Sequence, residues 1–125
     1  MKDQFIPYNL ALKLKELGFK EDCLRTYSWY YSPYFGGKED ISTVKLLNEE
    51  EVRSEVIQEK PRKYCPAPLW QQAFDWLLLK LPDYILDQME NTFGIRYYDG
   101  EEWNHILMTN TRQACLEQLI KLCQN

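Results

Sequence analysis

The chain predicts an α+β fold: a small, mainly antiparallel sheet with about three helices packed on one face. Three observations lead there. Helix-period stretches lie at both ends and in the middle of the 125 residues. Strand-like stretches fill the gaps between them. The joins between strand candidates are short and turn-like, without the helical crossover that parallel pairing needs. The length suits one domain, residues 1–125, with neither disulfide nor metal required to hold it together.

The elements follow in order. Pro7 suits the first turn of a helix, where its missing N–H costs nothing. In YNLALKLKELGF, residues 8–19, Leu10, Leu14 and Leu17 share a face and Gly18 is placed as a C-terminal cap. RTYSWYYSPYF, residues 25–35, puts six aromatic side chains into eleven positions. Its first part alternates as a strand, with Tyr27, Trp29 and Tyr31 on the face that serves the core, and Ser28 and Tyr30 on the other. Pro33, Gly36 and Gly37 break the strand, leaving Tyr34 and Phe35 in an outward loop. ISTVKLL, residues 41–47, is β-rich and pairs back onto it.

Residues 48–64, NEEEVRSEVIQEKPRKY, read as a charged surface excursion. The acidic opening suits a helix N-terminus and Val52 and Val56 are four apart, but the KPRKY tail is loop-like. CPAPLWQQAFDWLLLKLP, residues 65–82, is helical, with Pro68 at its start and Pro82 as its stop. Leu69, Ala73, Trp76, Leu77 and Lys80 trace the period, and Trp70, Phe74 and Leu78 widen its apolar side. YILDQME, FGIRYY and EWNHILM are strand candidates, and Asp99–Gly100 marks a hairpin between the last two. Alternation groups Ile95 with Tyr97, and Trp103 with His105 and Leu107. NTRQACLEQLIKLCQN closes the chain as an amphipathic helix capped by Thr109 or Asn110, with Cys115 or Leu116, Leu119, Ile120 and Cys123 as its stripe.

Composition narrows the function. The net charge of −4 argues against a nucleic-acid binder, whose affinity comes largely from neutralising phosphates. It is too small for a nucleic-acid mimic, since Glu49–Glu51 is the longest acidic run. No apolar stretch approaches a membrane span, and the opening MKDQFIPYNL has no signal-peptide pattern, so a cytoplasmic protein without membrane contact is expected. Cys23, Cys65, Cys115 and Cys123 form no CxxC pair and read as reduced, small apolar residues. Nine tyrosines and four tryptophans favour strands and contact surfaces.

No constellation for catalysis emerges, and no cofactor or metal is implied. His105 is the one histidine and reads as a structural residue. Carboxylates are plentiful, but no spacing singles out an acid–base pair, so an enzyme remains only as a pair hidden from sequence reading. Gly36–Gly37 lacks the Lys-Ser/Thr of a phosphate loop. EKPRKY is the one basic cluster: Lys60, Arg62 and Lys63 beside Tyr64, a composition that binds single-stranded RNA by stacking and phosphate contact, or anchors a protein interface.

Three strings carry a resemblance. FIPYNLALKLKELGF at the start, APLWQQAFDWL at 67–77 and ACLEQLIKL at 114–122 resemble a family of short, functionally uncharacterised proteins carried by phages and prophages of Bacteroidota. The segment 103–108 is similar too. Residues 36–64 are longer and more charged than that pattern. The family carries no active site to transfer, but the setting implies a non-enzymatic protein that inhibits a host defence effector by direct contact. Its specific form is an anti-CRISPR inhibitor of a type VI RNA-guided, RNA-targeting nuclease and its guide RNA. On that expectation Tyr30, Tyr34 and Phe35 are apolar anchors, and Lys60, Arg62, Lys63 and Tyr64 meet an acidic or RNA-bearing surface. The alternative is a single-stranded RNA-binding protein acting through the basic, aromatic loop.

Overall fold

The computed structural model describes residues 4–34 and 37–124. Among the described residues the elements are α1 Tyr8–Glu16, β1 Arg25–Tyr31, β2 Glu39–Leu47, α2 Glu49–Ile57, β3 Arg62–Ala67, α3 Trp70–Leu79, β4 Tyr84–Met89, β5 Thr92–Tyr98, β6 Trp103–Thr109 and α4 Arg112–Gln124. The α+β class and the antiparallel pairing hold, with two three-stranded sheets in place of one and four helices in place of three. The chain gathers into two compact units, Met1–Trp70 and Gln71–Asn125, and each contains one sheet. No helix among the described residues is long and apolar enough to cross a membrane.

In the first unit the strand order is β2-β1-β3, so the aromatic strand is central. Its register against β3 pairs Tyr27 with Cys65 and Ser28 with Tyr64, which assigns each side chain to a face. α1 lies on the Tyr27–Trp29 face: the Tyr8 ring meets Tyr27 and Trp29 edge-on, at 5.7 Å and 5.2 Å between centroids. α1 ends as the sequence predicts. Gly18 has φ +103, and the amides of Gly18 and Phe19 donate to the carbonyls of Lys15 and Leu14, which satisfies the last turn. Phe19 and Leu14 are both buried, so the cap also seals the core.

With most of α2 exposed, the segment expected as a charged surface excursion forms α2 and the start of β3. The reason is local. Asn48 and Glu51 make reciprocal side-chain-to-backbone hydrogen bonds, a capping box that starts α2 firmly. α2 then meets the opposite face of the sheet from α1, since Glu55 accepts a hydrogen bond from Ser28, which pairs with Tyr64. Helices therefore cover both faces of the first sheet, where one covered face was expected. The predicted helix from residue 65 also starts later: Cys65–Ala67 belong to β3, and the helix begins at Trp70. Pro66 is tolerated there because β3 is an edge strand.

In the second unit the order is β4-β5-β6. The β5–β6 hairpin forms at the predicted Asp99–Gly100 turn, where Gly100 has φ +101 and the Asp99 carboxylate accepts from the amides of Glu101 and Glu102, both at 2.9 Å. α4 packs on β5 and β6. Its predicted stripe is buried at Cys115, Leu116, Leu119 and Ile120, and Ala73, Phe74 and Leu77 supply the buried side of α3.

Candidate protein-binding surfaces

The basic cluster is largely consumed by the fold. Arg62 is held against the sheet, with its side chain only 9% exposed. Its guanidinium donates to the Ser28 hydroxyl at 2.7 Å and to the carbonyls of Ser28 and Thr43, both at 3.0 Å, and lies 3.2 Å from the Glu55 carboxylate. One side chain thus ties all three strands of the sheet to α2, and a charge this buried is held by the acceptors that meet its Nε and Nη2 and by the Glu55 carboxylate. Tyr64 stands on the same face with its hydroxyl buried. Burial, then the neighbouring Glu55 carboxylate, pushes that phenol above its ordinary value.

Lys63 points to the other face. It donates to Glu39 at 2.7 Å and lies 5.6 Å from the centre of the Tyr31 ring. The Lys63 ammonium in turn holds the Glu39 carboxyl below its usual range. Lys60, which is exposed, is the member of the cluster outside these pairs. A phosphate reaching for Arg62 or Lys63 would have to displace Glu55 or Glu39. Arg62 and Tyr64 are therefore on one face of β3 and Lys63 on the other, while Lys60 precedes the strand.

The aromatic anchors fare differently. Trp29 is 2% exposed and belongs to the core, while Tyr27 and Tyr31 are half-buried. Burial pushes the Tyr27 phenol up, and its hydroxyl donates to the Ile6 carbonyl at 2.7 Å. Tyr30 is exposed, and Tyr34, 75% exposed, is fully in the outward loop. Ile41 is exposed as well, on β2. Phe35 lies outside the described residues.

A second surface, absent from the sequence-predicted residues, is the outer face of the second sheet. The register sets Tyr98 opposite Trp103, Arg96 opposite His105, and Gly94 opposite both Met108 and Asp87. All these side chains therefore share one face. A bulge where the pairing passes from Ile95 to Arg96 inserts Ile106 and puts Leu107 opposite the fully buried Ile95, on the other face. Leu107 is thus parted from Trp103 and His105, with which simple alternation had grouped it. His105 is exposed, not a core residue.

No helix of the second unit covers this outer face. Met89 is 69% exposed, Met108 54% and Trp103 44%. Within it the contacts are ordered. Arg96 is paired with Asp87 and lies 5.4 Å from the centre of the Trp103 ring, whose other neighbour is Tyr98 at 5.1 Å. Gly94 leaves space for Met108, since a Cβ there would come within 2.8 Å of the Met108 sulfur. Trp, Tyr, Arg and Met are the residue types enriched at protein interfaces, and here the arginine is already neutralised by its own aspartate. The available sequence signal was the alternation of Arg96 with Tyr98 and of Trp103 with His105; the bulge was not visible.

Chemistry of other kinds has less to stand on. Ser28, although bonded to Glu55 at 2.8 Å, is fully buried and out of reach of a substrate. Burial pushes the Cys65 thiol up to about 11, far from a nucleophile at neutral pH. Glu21, Asp22 and Glu49 share an open cleft of about 570 Å³ with Lys20, and each of the four is solvent-exposed. Among the described residues no cluster of His, Cys, Asp and Glu is placed to hold a metal ion. No protein family, curated protein or solved structure matches the chain.

Proposed function

We propose that this protein is a non-catalytic binding protein, acting in the bacterial cytoplasm, that blocks a host defence effector by covering part of its surface. The observation that carries the binding reading is the outer face of the second sheet, where Trp103, Tyr98 and Met108 are exposed, with the half-buried Arg96 ordered against Trp103. A monomeric protein gains nothing from leaving such a face in water, whereas a partner removes it from water and recovers the burial. Tyr30 and Tyr34, in the first unit, are further exposed aromatic side chains open to contact. The choice of effector, an RNA-guided, RNA-targeting nuclease of type VI, rests on the resemblance of the terminal and central strings to phage proteins of Bacteroidota. The basic segment supports a protein partner over RNA, because Arg62 and Lys63 are engaged by Glu55 and Glu39.

The test is target-activated RNA cleavage by such an effector with its guide RNA, with this protein added in increasing amounts. Cleavage is expected to stop near a one-to-one ratio. Trp103→Ala and Met108→Ala are each expected to weaken inhibition at least tenfold, while Lys60→Ala leaves it in place. No inhibition by the unaltered protein would remove the effector assignment. Equal inhibition by all the variants would move the contact away from this face.

A further inference from the structure

The two units do not share the net charge. The first carries eleven basic and eleven acidic residues, the second four and eight, so the −4 of the whole chain belongs to the second unit. Within that unit the charge gathers on the sheet. Residues 83–109, which span β4 to β6, hold Asp83, Asp87, Glu90, Asp99, Glu101 and Glu102 against a single arginine, and that arginine, Arg96, is paired with Asp87. Most of the remaining carboxylates lie at one end. The Tyr98 amide donates to the Asp83 carbonyl at 2.9 Å, and the turn of residues 99–102 joins Tyr98 to Trp103. Asp83, Asp99, Glu101 and Glu102, all exposed, therefore stand at the same end of the sheet as the Tyr98–Trp103 ring pair. Among the described residues Asp83, Glu101 and Glu102 enter no ion pair.

We infer that the outer face of the second sheet docks a basic protein surface, one in which lysine and arginine side chains surround an apolar centre. The apolar centre covers Trp103, Tyr98 and Met108, and the cations meet the carboxylates beside them. The face already holds one arginine in this way: the Arg96 guanidinium lies 5.4 Å from the centre of the Trp103 ring and donates to Asp87 at 3.0 Å. A cation of the partner finds the same two kinds of group, since the Trp103 ring is still 44% exposed and carboxylates stand at its end of the sheet. Charge disfavours other occupants. RNA would bring phosphates to this end, and a second copy of the chain would bring the same four carboxylates. This inference rests on the binding reading of the face and adds the chemistry of what covers it; the choice of effector does not enter.

Amide NMR shifts of the unaltered chain test it with three probes: a peptide of lysine, arginine and leucine, its counterpart with glutamate and aspartate in place of the cations, and oligouridine. The basic peptide is expected to move the amides of residues 98–109 with a Kd below about 100 µM, and the other two to leave them in place. Glu101→Gln and Glu102→Gln together are expected to weaken that binding about tenfold. The turn survives them, because Asp99 is held by the backbone amides of those residues. Glu16→Gln with Glu50→Gln, the same loss of charge at exposed positions of α1 and α2, is expected to change it less than about twofold. Three results overturn the inference: no movement of residues 98–109 with the basic peptide, movement with the acidic peptide or the RNA, or equal weakening by the two double variants. If it falls while Trp103→Ala still relieves inhibition of the effector, the binding reading of the face stands without it. Binding of the basic peptide as described, with no inhibition of the effector, supports the inference and removes only the effector.

Discussion

Each unit is built on three antiparallel strands with an aromatic-bearing strand in the middle, but the two sheets treat their faces in opposite ways. In the first, the neighbours Ser28 and Trp29 point to opposite faces and both are buried, because α1 lies on one side and α2 on the other. In the second, the neighbours Ile95 and Arg96 also point apart, yet only Ile95 is fully buried; Arg96 lies beneath the half-exposed Trp103 on a face no helix of that unit covers. Aromatic density is therefore a poor guide to contact surface. In the densest run, residues 25–35, Trp29 is buried and Tyr27 and Tyr31 are half-buried, while the sparser β5–β6 hairpin leaves Tyr98, Trp103 and Met108 exposed.

The largest expected effect breaks the covered face. Arg62→Met removes the partner of a buried carboxylate and is expected to cost about 3–5 kcal/mol, read by urea unfolding of the first unit. Coupling it with Glu55→Leu should recover much of that loss, since the penalty lies in the orphaned charge. A cost below about 1 kcal/mol would mean that the α2 side of the first sheet is as wet as the outer face of the second.

Two changes of about 1 kcal/mol sharpen the contrast. Gly94→Ala pushes a methyl into the Met108 sulfur and should destabilise by about that amount, and Met108→Ala in the same chain should relieve it. If the double variant gains nothing, Met108 does not lie over Gly94 in solution. Asn48→Ala removes half of the capping box and should cost about 1 kcal/mol, seen as faster amide exchange across α2.

On the open face, Trp103→Ala should change stability by less than about 1 kcal/mol while abolishing most partner binding, a separation no core tryptophan would show. The smallest effect is in acid. Backbone amides of Glu102 and Glu101 and the Asn104 side chain hold the Asp99 carboxyl below its ordinary 3.8. A depressed carboxyl stabilises the fold above its unfolded pKa and loses that contribution as pH falls through the folded value. The β5–β6 turn should therefore loosen only below about pH 4, followed by NMR titration of the Glu101 and Glu102 amides. Loosening at pH 6 would point to another group.

What was readable in the sequence was what is local. Leu10, Leu14, Gly18 and the Asp99–Gly100 turn act within a few residues of themselves, so α1 and the second hairpin follow from spacing. The Asn48–Glu51 capping box was equally local, and it was the signal that could have turned the acidic opening of the expected surface excursion into a definite helix. Arg62 was not readable. Its partners arrive from Ser28, Thr43 and Glu55, and no spacing in the chain announces that a cation beside a proline will be drawn under a helix. The bulge at Ile106 was hidden for another reason: it depends on how β6 meets β5, and an unbroken run of strand-forming residues carries no mark of it.

The Arg62 knot also bears on the order in which the first unit is completed. β1 is the middle strand but the first to leave the ribosome, and Arg62 follows Ser28 by 34 residues, a wait of about 2–7 s at about 5–20 residues per second. During that wait Glu55 and the Ser28 hydroxyl have no cation to meet, and a carboxylate without one stays in water. α2 therefore settles onto the sheet only when β3 arrives, which makes closure of the first unit a late, single event. A nascent chain stalled before residue 62 holds a two-stranded hairpin with its helix still undocked, a state open to proteases and chaperones that the finished protein has left behind.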